Sequence, residues 1–384
     1  MLIENVYIFT ENNRFEYGSV LVEEQKIKEI ISGTEPLNAE KRYLIPGMID
    51  MHFHGCMGYD FCDGTIEALN EIAKYELSLG VTSICPATMT LPVEQLEQIL
   101  KCAAYYKKAQ DGLQEFEASR ASLVGINMEG PFISKEKCGA QDPAFIEKPN
   151  MDLFHAFMDW SDGLVKVMGV APETEGAADF VAQIKNDVCV SIAHSNASYE
   201  EAIDALSKGA SHGVHLFNGT SAFNHRNPGI PGAIFDHNTA TAELICDGVH
   251  VHPATVRMAA KLLGLYRLIL VSDSMRAAGL EDGQYLLGGQ EVNVEGNQAT
   301  LVKDGSLAGS VTPLPECFRI AVCEMHIPIE NAVAAVTKNP AKVLGIDRER
   351  GYIKEGYFAD LVLLDENFQV KTVWKNGKEI LENE

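Results

Sequence analysis

Eight short apolar runs, separated by stretches of helical periodicity, govern what this 384-residue chain can fold into. They begin near Met48, Val81, Leu123, Leu164, Val188, His212, Glu243 and Leu268. Runs of this length, apolar throughout rather than alternating, read as parallel strands buried on both faces. Eight successive strand–helix units predict a (β/α)8 TIM-like barrel. Several runs end on a group that can do chemistry. RYLIPGMIDMHFH ends in His52 and His54, Glu129 follows SLVGINM, and His194 follows VCVSIA. GASHGVH closes on His215, and YRLILVS leads into Asp273. Reactive groups of such barrels gather at the carboxyl ends of the strands, where all six residues fall.

The two ends of the chain have a different texture. LIENVYIF, FEYGSVLVE and KIKEIIS are short alternating segments, and GYIKEGYFADLVLLD and QVKTVWKNGKEI behave likewise, with Asn376-Gly377 placed as a hairpin turn. The expectation is a small β-sandwich assembled from both termini, residues 1–45 and 341–384, with the barrel at 46–340 inserted between its halves. Two long excursions interrupt the barrel rhythm: PFISKEKCGAQDPAFIEKPN after the third strand, and the segment after the eighth from MRAAGLEDG to LAGS. The second carries an alternating pattern that suggests a hairpin. Long excursions at the catalytic end usually cover or shape a site.

With 46% hydrophobic residues, the chain can bury a barrel core and a small domain besides. It carries 31 basic and 54 acidic residues, a net charge of -23, which argues against nucleic acid or an anionic membrane as partner. No apolar stretch approaches the ~18 residues of a membrane span. Nothing at the start reads as a secretion signal. Nine scattered cysteines without a CxxC pair suit reduced thiols in the cytoplasm.

The two histidines of the first strand are two residues apart, so both imidazoles point to one face and could share a cation; alternatively they only hydrogen-bond. Glu129 is followed by Gly130-Pro131, which leaves its side chain at the barrel mouth rather than capping a helix. His194 and His215 can each offer a ring nitrogen to the same ion. Asp273 is placed to exchange a proton with a water held there. His225, Arg226 and His250 put donors in loops after strands six and seven, and the backbone around Asn218-Gly219 and Leu307-Ala308-Gly309 adds more. His212, inside its run, reads as a core histidine.

PGMIDMHFHG, NMEGPF, AHSNA, HLFN, CDGVHVHP, VSDSM and LAGS occur in an order that resembles the N-acetylglucosamine-6-phosphate deacetylases of the amidohydrolase superfamily, from about Pro46 to Ser310. The resemblance implies removal of acetate from a sugar phosphate, with a metal-activated water as nucleophile. It implies that Glu129, His194 and His215 hold the main divalent cation (zinc, iron, manganese or cobalt) and that Asp273 is general base and acid. His52 and His54, missing in some members, imply a possible second cation. Substrate binding would fall to Ala140, Gln141, Asn218, Gly219, Arg226, His250 and Leu307 to Gly309. A homodimer, in which a neighbour's loop supplies His225 or Arg226, is also implied. Gln141 departs from relatives that carry a histidine there, and Gly219-Thr220 departs from the more usual Ala-Met.

Three rival functions remain open at this stage: deacetylation of the galactosamine epimer, action on another amide or a deaminase substrate, and an inactive barrel serving as a scaffold. Retention of Glu129, His194, His215 and Asp273 disfavours the last.

Overall fold

All eight expected runs form strands: Met48–Asp50, Val81–Ile84, Ser122–Leu123 continued by Ile126–Met128, Val165–Val170, Cys189–Ile192, His212–Gly213, Thr241–Ile245 and Leu268–Val271. The structure, a computed structural model, describes residues 1–37, 40–112 and 119–382. The strands pair in parallel, each with the next along the chain. The two parts of the third strand complete the circuit between its neighbours. Closure of the eighth strand onto the first comes just beyond their ends. There Asp273 N–H donates to the His52 carbonyl (3.0 Å) and His54 N–H to that of Ser274 (2.7 Å). Below them the Ser272 hydroxyl donates to Asp50 (2.5 Å).

Alternate strand residues fill the barrel. Ile49, Met51, Cys85, Val124, Val167, Ile245, Ile269 and Val271 form one buried cluster, plugged from below by Ala341 and Leu344. The opposite strand faces join a larger core beneath the surrounding helices. Helix Ile66–Ser78 shows how local sequence builds these units. Thr65 caps its start by accepting from Ala68 N–H, and apolar residues at Leu69, Ile72, Ala73 and Leu77 face the barrel. Gly80, at φ +96°, then turns the chain into the second strand.

The terminal segments form one seven-stranded sheet. Its hydrogen-bonded order is Lys378–Glu382, Val370–Lys375, Leu361–Leu364, Tyr43–Pro46, Leu2–Phe9, Phe15–Glu23, Lys26–Ser32. The sandwich is this single sheet curled on itself, because the start of its last strand meets the segment leading into Leu361. Ile27 N–H donates to the Tyr357 carbonyl (2.9 Å) and Ala359 N–H to that of Gln25 (2.9 Å). Ile3, Val20, Ile27, Leu44, Leu361 and Trp374 fill the curl. Asn376 and Gly377 both take positive φ, 49° and 74°, as a two-residue hairpin turn of the favoured twist requires.

The excursion after the eighth strand is a three-stranded meander, Gly283–Leu287, Gln290–Glu295 and Gln298–Leu301, rather than a simple hairpin. The third strand forms because Gly296, at φ +59°, allows a second tight turn. Leu287, Val292, Val294, Ala299 and Leu301 pack on Met89 and Met275, which seats the meander beside the barrel mouth.

Candidate metal centre and active site

The side chains at the strand ends converge because the backbone bends sharply there. His194, His215 and Asp273 all have positive φ, 42°, 21° and 48°. Non-glycine residues rarely adopt this conformation, and its occurrence just past three strand ends marks a site that the surrounding structure holds under strain. Close packing enforces it around His194: a Cβ on Gly219 would lie 2.8 Å from His194 Nδ1, so only glycine fits there.

Glu129 is the hub. Its Oε1 faces His215 Nε2 at 2.8 Å, His194 Nε2 at 3.0 Å and His52 Nε2 at 3.3 Å. Its Oε2 faces His54 Nε2 at 3.3 Å and accepts from the Gln141 amide at 2.7 Å. Asp273 Oδ1 lies 3.4 Å from His54 Nε2 and 3.8 Å from His52 Nε2. All seven residues are buried. Gln141 is itself fixed, because its Oε1 accepts from Thr90 N–H at 2.5 Å.

Around this ring of donors a second layer sets orientation. His194 Nδ1 meets the Lys137 carbonyl (2.7 Å), His215 Nδ1 that of Asn218 (3.0 Å), and His52 Nδ1 the Glu243 carboxylate (2.8 Å). Each contact directs the opposite nitrogen at the centre, the arrangement typical of metal-binding imidazoles. The donor set passes a further test for a divalent cation. His52 Nε2 and Asp273 Oδ1 are buried and make no hydrogen bond, although both lie close to potential partners. Two overlapping groups, His52–His54–Asp273 and His52–Glu129–His215, keep their ligand atoms within 4.8 Å of one another. Imidazole and carboxylate in this number suit a divalent transition metal.

Electrostatics points the same way. Burial alone would raise the Glu129 carboxyl, but His52 and His194 hold it well below the ordinary range. Burial likewise opposes ionisation of Asp273, and the nearby imidazoles of His54 and His52 overcome it. His54 is opposed by burial and raised to about 10 by Asp273 and Glu129. A cluster that holds protons this firmly has the negative potential to hold a cation instead.

The centre opens into a cavity of about 320 Å³. Of the residues singled out in the sequence, His54, Glu129, Ala140, Gln141, His194, His215, Asn218, Gly219, His250, Asp273, Leu307, Ala308 and Gly309 line it. His52 sits behind the wall in contact with Glu129. His250 is held by Asp247, whose Oδ2 meets its Nδ1 at 2.6 Å. Arg226 and His225 are the exceptions. Both are exposed, with Arg226 Nε pointing at His225, and both lie outside this cavity. The lining contains no Arg or Lys among the described residues.

Sequence reasoning missed Glu243, Asp247 and Lys137 as supports. Glu243 carried a signal, since an acid within the apolar run TAELICD needs a buried partner. His212, expected in the core, is buried there and engages that same Glu243 at 2.9 Å.

Residues 43–380 match the amidohydrolase family. The N-acetylglucosamine-6-phosphate deacetylase of Bacillus subtilis (strain 168) is 35% identical over 378 residues, covering 96% of this chain and 94% of that protein. An N-acetylgalactosamine-6-phosphate deacetylase of Escherichia coli O157:H7 is 31% identical, over 91% of this chain and 92% of that one. The crystal structure of N-acetyl-D-glucosamine-6-phosphate deacetylase from Mycobacterium smegmatis superposes with a TM-score of 0.91 at 28% identity, covering 99% and 100% of the two chains. The chain belongs to the amidohydrolase family, in the branch of the N-acetylglucosamine-6-phosphate deacetylases.

Proposed function

We propose that this protein hydrolyses the acetamide of N-acetylglucosamine 6-phosphate to glucosamine 6-phosphate and acetate. The observation that carries it is Glu129, with one oxygen facing His194 and His215 and the other facing His54, and with Asp273 beside them at the floor of a sugar-sized cavity. Glu129, His194 and His215 would hold one divalent cation; His52 and His54, with a share of Glu129 or Asp273, would hold a second. Zinc, iron, manganese or cobalt would each satisfy these donors. A cation bound there supplies Lewis acidity and lowers the pKa of water toward ~7.

The chain's own groups do the rest. Asp273, ionised and buried, takes the proton of the attacking water and returns it to the departing amine nitrogen. Gln141 keeps Glu129 in place through its amide and has no charge to add at the acetyl carbonyl. Asn218, Gly219, Ala140 and the Leu307–Gly309 backbone ring the cavity at positions suited to the sugar hydroxyls. His250 offers a cationic or hydrogen-bonding edge. Burial would lower its pKa, yet the Asp247 carboxylate raises it.

Among the described residues of one chain, the cavity offers the phosphate no Arg or Lys. We place Arg226 of a second copy there, in a homodimer. In support, the loop bearing Arg226 adjoins an apolar hollow of Phe217, Phe223, Phe235, Met258 and Leu262, of which Phe223, Met258 and Leu262 are exposed. A cytoplasmic location agrees with nine free cysteines. No described helix is long and apolar enough to cross a membrane.

Acetate release by metal-reconstituted protein tests the assignment, with N-acetylglucosamine 6-phosphate, its unphosphorylated form and N-acetylgalactosamine 6-phosphate as substrates. Turnover of the first well above the other two is expected. Preference for the galacto epimer would reassign the substrate, and silence on all three would refute the reaction.

A further inference from the structure

Beneath the proposed two-cation centre lies a buried acid that plays no part in the chemistry above. Glu243 sits on the seventh strand with no exposed surface. Its Oε2 meets His52 Nδ1 at 2.8 Å and accepts from His215 N–H at 3.0 Å, and its Oε1 meets His212 Nε2 at 2.9 Å. His212 Nδ1 in turn meets the Thr241 hydroxyl at 2.7 Å. We propose that Glu243 is a positioning residue that fixes the tautomer and angle of His52 and thereby specifies the second cation site. The inference rests on the two-cation reading above.

A carboxylate only accepts, so the proton of His52 must sit on Nδ1, which leaves the lone pair of Nε2 facing Glu129 and Asp273. Among the described residues nothing comparable holds His54. Its Nδ1 is buried without a hydrogen-bond partner, so the second site depends on His52 for a fixed ligand. Glu243 is fixed in its turn from two sides, by His212 with Thr241 and by the backbone of His215. His194 and His215 take their own orientation from carbonyl oxygens and do not need the Glu243 carboxylate for it.

The test is calorimetric titration of metal-stripped protein with Zn²⁺, with elemental analysis of the product. Glu243→Gln keeps the volume and one acceptor oxygen, and should weaken the second equivalent by about 10–100-fold while the first binds as before. In a His52→Ala background the same substitution should have no further effect on metal uptake. Unchanged affinity for the second equivalent would overturn the proposal. So would equal weakening of both equivalents, which would show that Glu243 acts through the scaffold. If Glu243→Gln does not fold, His212→Gln should give the same selective loss to a smaller degree, and no loss would be equally fatal. Uptake of one equivalent by the unaltered protein would overturn the two-cation reading, and this inference with it.

Discussion

Replacing Asp273 by Asn preserves the shape of the side chain and removes its ability to carry a proton. The backbone around it is held independently of the carboxylate: its N–H donates to the His52 carbonyl (3.0 Å) and its carbonyl accepts from Ser310 N–H (2.7 Å). The Glu129, His194 and His215 donors also remain in place, so the variant should fold and take up its first cation. What it loses is general base and acid catalysis, worth about 10²–10⁴ in rate. At ~1.36 kcal/mol per tenfold, that is roughly 2.7–5.4 kcal/mol on the barrier. The charge of Asp273 matters as well as its position. Burial pushes its carboxyl up, but His54 and His52 hold it below the ordinary value, so it is ionised and ready to accept a proton at neutral pH. The unaltered enzyme should therefore lose kcat/KM as the pH falls through that depressed pKa, and the Asn variant should lack this acid limb. The assay is steady-state acetate release across pH, on protein whose cation content has been measured. A kcat within tenfold of the original at equal cation content would refute the role of Asp273.

Three other expectations can be checked alongside. Because Asp247 raises His250 against the opposing effect of burial, its imidazolium persists toward neutral pH and declines as pH rises. KM for the phosphorylated substrate should climb along that limb, and His250→Gln should flatten it; an unaltered profile would exclude His250 from substrate binding. In the sheet domain, buried Asp360 accepts from Lys375 Nζ (2.9 Å) and Asn376 N–H (2.8 Å) and pairs with Arg350. Asp360→Ala would remove the carboxylate that these two buried cations share, at a cost of about 3–5 kcal/mol, visible as a lowered denaturant midpoint, and an unmoved midpoint would refute that contribution. Finally, if Arg226 serves the neighbour's site, mixing and refolding inactive Arg226→Ala and Asp273→Asn subunits should restore activity. The mixed dimer then has one site with both residues, and no recovery would mean that Arg226 acts within its own chain or not at all.

What the sequence made legible, and what it hid, follows from how far apart the interacting groups lie. Each barrel strand is announced within a few residues, by an apolar run and the helix that follows it, and the proposed ligands ride on those runs. His52 and His54, Glu129, His194, His215 and Asp273 could be placed at one mouth without knowing any contact between them, because strand ends of one polarity must meet there. The terminal sheet was legible for the same reason, through alternation and the Asn376-Gly377 turn. Supports of the site were not, since their meaning lies in a partner far along the chain. His52 and Glu243 are 191 residues apart, and an acid within an apolar run says only that Glu243 needs a buried partner, not which one. The positive φ of His194, His215 and Asp273 was hidden too, because strain at a non-glycine residue is imposed by its surroundings and leaves no local mark. Arg226 marks the opposite limit: its motif is local and plain, yet the folded chain leaves it outside the cavity. A substrate-binding role for Arg226 therefore requires a contact between two chains, which is what recovery of activity in the mixed dimer would read.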